Sequence, residues 1–165
     1  MSKKFVFILA LSALSVVMGS CAKSTVNDNS NNCVPNNTGV PTSAEIASLQ
    51  AYLTAHSITA TQDPRGFFYA IYAPGTGATP TLSNTVKVKY TGTLESGAIF
   101  DQNLTGASFL LSDLILGWQM GIPLIKKGGT IQLYLPPSLA YRCNAIGTVP
   151  AGANLIFNIE LIDVL

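Results

Sequence analysis

Three stretches of this sequence alternate in hydropathy with a period of two, and this pattern constrains the fold more than any other feature. Val86, Val88 and Tyr90 alternate with Lys87 and Lys89; Ile131, Leu133 and Leu135 alternate with Gln132 and Tyr134. Leu155, Phe157, Ile159 and Leu161 alternate with Ile156, Asn158 and Glu160. Successive side chains of a strand point to opposite faces, so each stretch presents one apolar face to a core. Phe67 to Tyr72 reads as a further strand, ended by Pro74-Gly75-Thr76-Gly77, and Pro136-Pro137 stops the strand before it. Two segments break the period. Thr42 with Glu45 forms a capping-box pattern, after which Ile46, Leu49, Tyr52 and Leu53 share one helical face, predicting a helix to about His56. Ser112 to Ile122 has helical spacing, with Ser112 or Asp113 as the expected cap and the only tryptophan, Trp118, inside. The expected class is α+β: a mainly antiparallel sheet with one short helix against it and an extra N-terminal helix.

The N-terminus reads as an export address. Lys3 and Lys4, an apolar run from Phe5 to Met18, and Gly19-Ser20 describe a secretory signal peptide, the run being short for a membrane span. Val17-Met18-Gly19-Ser20-Cys21 resembles a bacterial lipobox, in which Cys21 is lipidated and becomes the first mature residue. Residues 1–20 are thus read as a lipoprotein signal peptide and 21–40 as a flexible tether rich in Asn, Ser and Thr. Residues 41–66 are read as the N-terminal helix and connector, and 67–165 as the main domain. The expected location is the periplasm or cell surface, anchored to a membrane through Cys21. An exported compartment is oxidising, so Cys33 and Cys143 are a candidate disulfide, with two free thiols as the alternative.

Charge and motif content remove several function classes. Without Lys3 and Lys4 the 9 Lys and Arg fall to 7, against 8 Asp and Glu. No basic field remains to attract a phosphate backbone, so nucleic acid is not an expected partner. The single histidine, His56, falls at a helix end, where its favourable interaction with the helix dipole is sufficient explanation. There is no Gly-x-Ser-x-Gly elbow, no Cys-x-x-Cys and no phosphate-loop pattern. Neither a metal nor a cofactor is expected. An enzyme built from this chain must work without a strong nucleophile.

Linked motifs then point to a family. Val88-Lys89-Tyr90-Thr91-Gly92, Gly97-Ala98-Ile99-Phe100-Asp101 and Phe109-Leu110-Leu111 occur in order, followed by Leu114-Ile115-Leu116-Gly117-Trp118-Gln119-Met120-Gly121 and Lys127-Gly128-Gly129. Leu135-Pro136-Pro137, Leu139-Ala140-Tyr141, Val149-Pro150-Ala151 and Asn154-Leu155-Ile156-Phe157 continue the run. This order resembles the FKBP-type peptidyl-prolyl cis-trans isomerases over residues 86 to 165, and more loosely from about 67.

The resemblance implies a twisted antiparallel sheet curled around a short helix, with a proline pocket between them. It implies Trp118 as the pocket floor, and Tyr90, Phe100, Leu114, Ile115, Tyr141 and Phe157 as walls, with Val149 at the rim. It further implies Asp101 as a carboxylate on the buried side, and the Ile115 N–H and Tyr141 hydroxyl as donors to ligand carbonyls. The implied activity is isomerisation of X-Pro bonds in exported proteins by a monomer, with proline-containing polypeptides as partners. The alternative is a catalytically weak, FKBP-like lipoprotein that holds peptides or a partner protein. Arg142 stands where the family usually has glycine, which predicts a different conformation for the loop after Tyr141. The segment between Asp101 and Phe109 is expected to be a short loop.

Overall fold

A computed structural model describes residues 38–165. Signal peptide, Cys21, Cys33 and nearly all of the tether lie outside the described residues. Helix α1 spans Ser43–Ala55 and opens as the sequence predicts. Thr42 Oγ1 accepts from the N–H of Glu45 at 3.2 Å, and Glu45 Oε2 accepts from the N–H of Thr42 at 2.7 Å. The strands are β1 (Thr61–Gln62), β2 (Phe68–Ala73), β3 (Thr85–Leu94), β4 (Ile99–Leu110), β5 (Thr130–Leu135) and β6 (Leu155–Val164), with α2 (Leu116–Gly121) between β4 and β5. They form one sheet in the order β1-β2-β5-β6-β3-β4, every pair antiparallel. The sheet therefore begins at Thr61, ahead of the boundary expected at residue 67. The turn Asp63-Pro64-Arg65-Gly66 makes this possible: Gly66 adopts φ +91°, and Asp63 holds Arg65 through two contacts of 2.8 Å.

Both faces of the central strands are covered. On one face Val86, Val88, Leu111, Ile131, Leu133, Leu135, Phe157 and Ile159 pack with Trp118 and Ile122. On the other, Phe68, Tyr134 and Ile156 meet Leu49 and Leu53 of α1. Alternation thus separates neighbours: Leu133 and Leu135 point to α2 while Tyr134 points to α1. Two glycines four residues apart let α2 lie close on β5. A Cβ at Gly117 would overlap Leu135, and one at Gly121 would overlap Leu133.

Two sequence expectations are corrected. Residues 101–109 are not a short loop but part of β4, an edge strand without apolar alternation. Its ladder shifts register between Val88 and Tyr90, and Asn103 Oδ1 fills the bulge by accepting from the N–H groups of Thr105 and Gly106. The helix expected over Ser112–Ile122 is shorter. A 3-10 turn at Leu111–Asp113 precedes α2, and another at Ile122–Leu124 follows it, with Pro123 inside. Neither Ser112 nor Asp113 caps α2. The Gln119 amide instead reaches back to the carbonyls of Ser112 and Leu114, at 2.9 and 2.7 Å.

Candidate functional site

On its inner face the sheet borders a concavity that opens to solvent. Its lining is Tyr90 of β3, Asp101 and Phe109 of β4, Leu114 and Ile115 before α2, Trp118 of α2, Tyr141 after β5, and Phe157 of β6. Trp118 lies at its base, only 4% exposed. Three aromatic rings meet the indole at steep angles: Tyr90 at 5.1 Å, Phe157 at 5.2 Å and Phe109 at 6.5 Å between centroids. Edge-to-face contacts of this kind hold each ring in one orientation. Phe100 buttresses Phe157 from behind, with centroids 5.4 Å apart and planes at 88°. Gly92 makes that packing possible, because a Cβ there would sit 2.6 Å from the Phe100 ring and 2.9 Å from Phe157.

Polar groups at the cavity are few and placed by neighbouring strands. Tyr90 donates its hydroxyl to Asp101 Oδ2 at 2.8 Å. Burial, then that bond and the Asp101 charge, push the Tyr90 hydroxyl up to about 12. Burial and the Asp101 charge also raise Tyr141. Both phenols therefore remain protonated donors at neutral pH. Among the described residues, no hydrogen bond engages the Tyr141 hydroxyl, the Ile115 N–H or Trp118 Nε1, the last of which is buried. The Gln119 amide fixes the strand-like approach to α2, and so aims Leu114 and Ile115 at the cavity.

The structure gathers Tyr90, Asp101, Leu114, Ile115, Trp118, Tyr141 and Phe157 around one cavity, and corrects three details. Asp101 is exposed rather than on the buried side, because β4 is an edge strand; its hydroxyl partner is Tyr90. Phe100 supports the wall and does not line the cavity. Val149 is not at the rim but 3% exposed in the core. Reciprocal backbone bonds between Ile146 and Val149 form a tight turn that tucks Val149 inward and leaves Ile146 outside. Arg142 itself takes φ +57°, the left-handed region that favours glycine, and bears the strain. Cys143 is disulfide-bonded, while Cys33 lies outside the described residues. Sequence reasoning missed Phe109 as a wall. Its pairing with Val86, across a bulged ladder, carries no alternation that could reveal it.

The sequence model of the FKBP-type peptidyl-prolyl cis-trans isomerases matches residues 77–162, more than half of the chain.

The chain belongs to the FKBP-type peptidyl-prolyl cis-trans isomerase family.

The FKBP-type isomerase FkpA of Escherichia coli K12 is 42% identical over 102 residues, 60% of this chain and 38% of that protein. The outer membrane protein MIP of Legionella longbeachae is 42% identical over 106 residues, 61% of this chain and 45% of that protein. The crystal structure of Escherichia coli FkpA superposes with a TM-score of 0.67 at 36% identity, covering 73% of this chain and 59% of that one. The FKBP fold is thus shared, with α1 as an additional helix. This chain spans less than half the length of these two curated relatives.

Proposed function

We propose that the chain is a peptidyl-prolyl cis-trans isomerase that seats the proline ring of an X-Pro bond on Trp118. The observation that carries this reading is an aromatic cavity of about 140 Å³ bordered by unengaged hydrogen-bond donors. An apolar cavity near 150 Å³ accepts a ring the size of benzene, so a pyrrolidine ring fits this one.

The reaction is rotation about a partial double bond. The planar amide resists twisting by ~18–20 kcal/mol, because resonance is lost at 90°. Uncatalysed X-Pro exchange takes about 10–100 s at 25 °C, and bringing it to milliseconds requires roughly 5.5 kcal/mol. The planar amide is the more dipolar form, so transfer from water to an aromatic pocket raises the ground state more than the twisted state. Hydrogen bonds from the Ile115 N–H and the Tyr141 hydroxyl to the substrate carbonyls add binding that strengthens as the bond twists. None of this asks for proton transfer, in keeping with phenols at Tyr90 and Tyr141 that hold their protons at neutral pH. An apolar residue before proline is preferred, matching the apolar walls.

The cellular reading rests on the sequence. We infer a monomeric lipoprotein held to a membrane by acyl chains on Cys21, acting on exported polypeptides in the periplasm or at the surface. Cys33 is the proposed partner of Cys143, which would tie the tether to the loop carrying Arg142. Mass spectrometry checks both: a lipidated Cys21 is expected, and a two-proton increase on reduction with Cys33 in the bridged peptide.

The decisive experiment is exchange spectroscopy on a Leu-Pro peptide with and without the chain. Acceleration well above the uncatalysed rate is expected. A well-folded chain that binds the peptide without accelerating exchange would reassign the pocket to peptide holding.

A further inference from the structure

The polar contacts of α1 converge on a single segment, Pro136–Asn154, that carries the pocket residue Tyr141. At its first stem, the 3-10 turn Pro137–Leu139 buries Ser138 to 2% exposure. Glu45 of α1 accepts both of that residue's donors on Oε1: the N–H at 2.9 Å and the hydroxyl at 2.7 Å. At the second stem, Asn154 Nδ2 donates to Ser48 of α1 at 3.2 Å and to Glu95, beside the β3–β4 turn, at 2.8 Å. Glu45 and Ser48 are three residues apart, so they share one side of the helix. Between the stems, Arg142 is tied twice: its N–H to the carbonyl of Pro137 and its carbonyl to the N–H of Gly152, at 2.9 and 2.8 Å. Tyr141 is the neighbour of that tied residue and lies two residues beyond the turn Glu45 holds.

We propose that α1 braces the pocket loop from the opposite face of the sheet, with Glu45 and Ser48 as positioning residues for Tyr141. This rests on the isomerase reading for its kinetic consequences, but not for its structural ones. The apolar side of α1, Leu49 and Leu53, packs on the sheet and holds the helix. The polar pair does something else. It fixes where the loop stems leave the sheet, and so where Tyr141 stands at the cavity. Glu45 is suited to this because one carboxylate caps its own helix at Thr42 and grips Ser138 at the same time. The first stem is thereby tied to the start of α1 by a single side chain. Displacing a positioning group by about 1 Å costs on the order of a hundredfold in the extreme, so a partial loosening should be measurable.

The test compares Glu45→Ala with Leu53→Ala in the full chain. Both variants weaken α1, but only the first releases the loop. Glu45→Ala is expected to lower kcat/KM for a Leu-Pro peptide about tenfold, mainly through KM, since a displaced wall weakens binding. Leu53→Ala, assayed well below its unfolding temperature, is expected to leave kcat/KM within about twofold. Ser138→Ala combined with Glu45→Ala should add little to the single variant, because the two act through one contact. A second readout is independent of catalysis. Amide hydrogen exchange at Arg142 and Gly152 should accelerate at least about tenfold in Glu45→Ala and stay unchanged in Leu53→Ala. If the wild-type chain fails to isomerise peptides, the isomerase reading falls and the exchange data alone decide the brace. Unaltered loop exchange in Glu45→Ala, or equal loosening by Leu53→Ala, would overturn it.

Discussion

The two faces of the sheet are built from the same strands and differ in how completely they are satisfied. Toward α1, Leu49, Leu53, Phe68, Tyr134 and Ile156 close on one another, and the polar groups at the margin are paired: Glu45 with Thr42 and Ser138, Asn154 with Ser48 and Glu95. Toward α2, aromatic rings meet around Trp118 but stop short of filling the space, and donors at Ile115 and Tyr141 face it without partners among the described residues. One face holds and the other receives. A folded domain tolerates unpaired donors at a cavity open to water, because solvent satisfies them until a ligand does. The contrast implies that substitutions of the apolar residues on the first face are felt in stability and those on the second in catalysis, with the polar pair Glu45 and Ser48, which reaches the pocket loop, as the exception.

The largest expected effect belongs to the holding face, and its appearance in catalysis instead would undo the contrast. Leu49→Ala removes a fully buried side chain between α1 and the sheet. It should cost about 2–5 kcal/mol in denaturant unfolding, while kcat/KM well below the transition stays within about twofold. Asp101→Ala is the counterpart. Because Asp101 is exposed and its partner is the Tyr90 hydroxyl, the loss in unfolding free energy should be about 1 kcal/mol or less. Its kcat/KM should fall about tenfold, ~1.4 kcal/mol of transition-state stabilisation, as Tyr90 is freed to turn in the pocket wall.

Acid titration isolates the charge at the holding face. Burial alone would raise the Glu45 carboxyl, but donors from Thr42 and Ser138 outweigh it and hold the group below its ordinary value of 4.5. A carboxylate depressed in the folded state contributes stability that is fully present above the unfolded value and lost as pH falls through the folded one. Wild type should therefore exceed Glu45→Gln by about 1 kcal/mol near neutrality, and the gap should shrink as pH falls below the ordinary value of 4.5. A gap that stays constant through strong acid would mean that the hydrogen bonds do not require the charge. The smallest effect concerns Arg142, whose φ of +57° is strained for any residue with a Cβ. Arg142→Gly should stabilise by up to about 1 kcal/mol, the relief of strain being offset in part by the entropy glycine loses. Arg142→Ala, which keeps the Cβ, should not. Thermal unfolding distinguishes them.

What the sequence reveals follows the same division. Strands β3, β5 and β6 have one face on the inner core, and their alternation is legible because burial imposes it. The capping box of α1 is local chemistry and reads directly from Thr42 and Glu45. Strand β4 is an edge whose ladder is interrupted by the Asn103 bulge, so its residues carry no periodic signal. Helix α2 is held by close approach of Gly117 and Gly121 to β5 and by the Gln119 amide, none of which resembles a cap in sequence. Pocket residues are recognised through linked motifs, and even there burial is misjudged at Asp101 and Val149. Exposure depends on strand position and turn geometry, which a motif does not encode. The bond from Glu45 to Ser138 spans 93 positions and is invisible without the fold.

The chain has one tryptophan, and it lies at the base of the pocket, so its emission reports occupancy of the proposed site and of nowhere else. A titration with a Leu-Pro peptide can follow Trp118 fluorescence and catalysed cis-trans exchange in the same samples. Both should change with one half-saturation concentration, and a non-isomerisable proline analogue should displace the peptide and abolish catalysis together. Catalysed exchange that saturates while Trp118 emission stays constant would place the chemistry away from this pocket, and proline recognition on Trp118 would then be wrong.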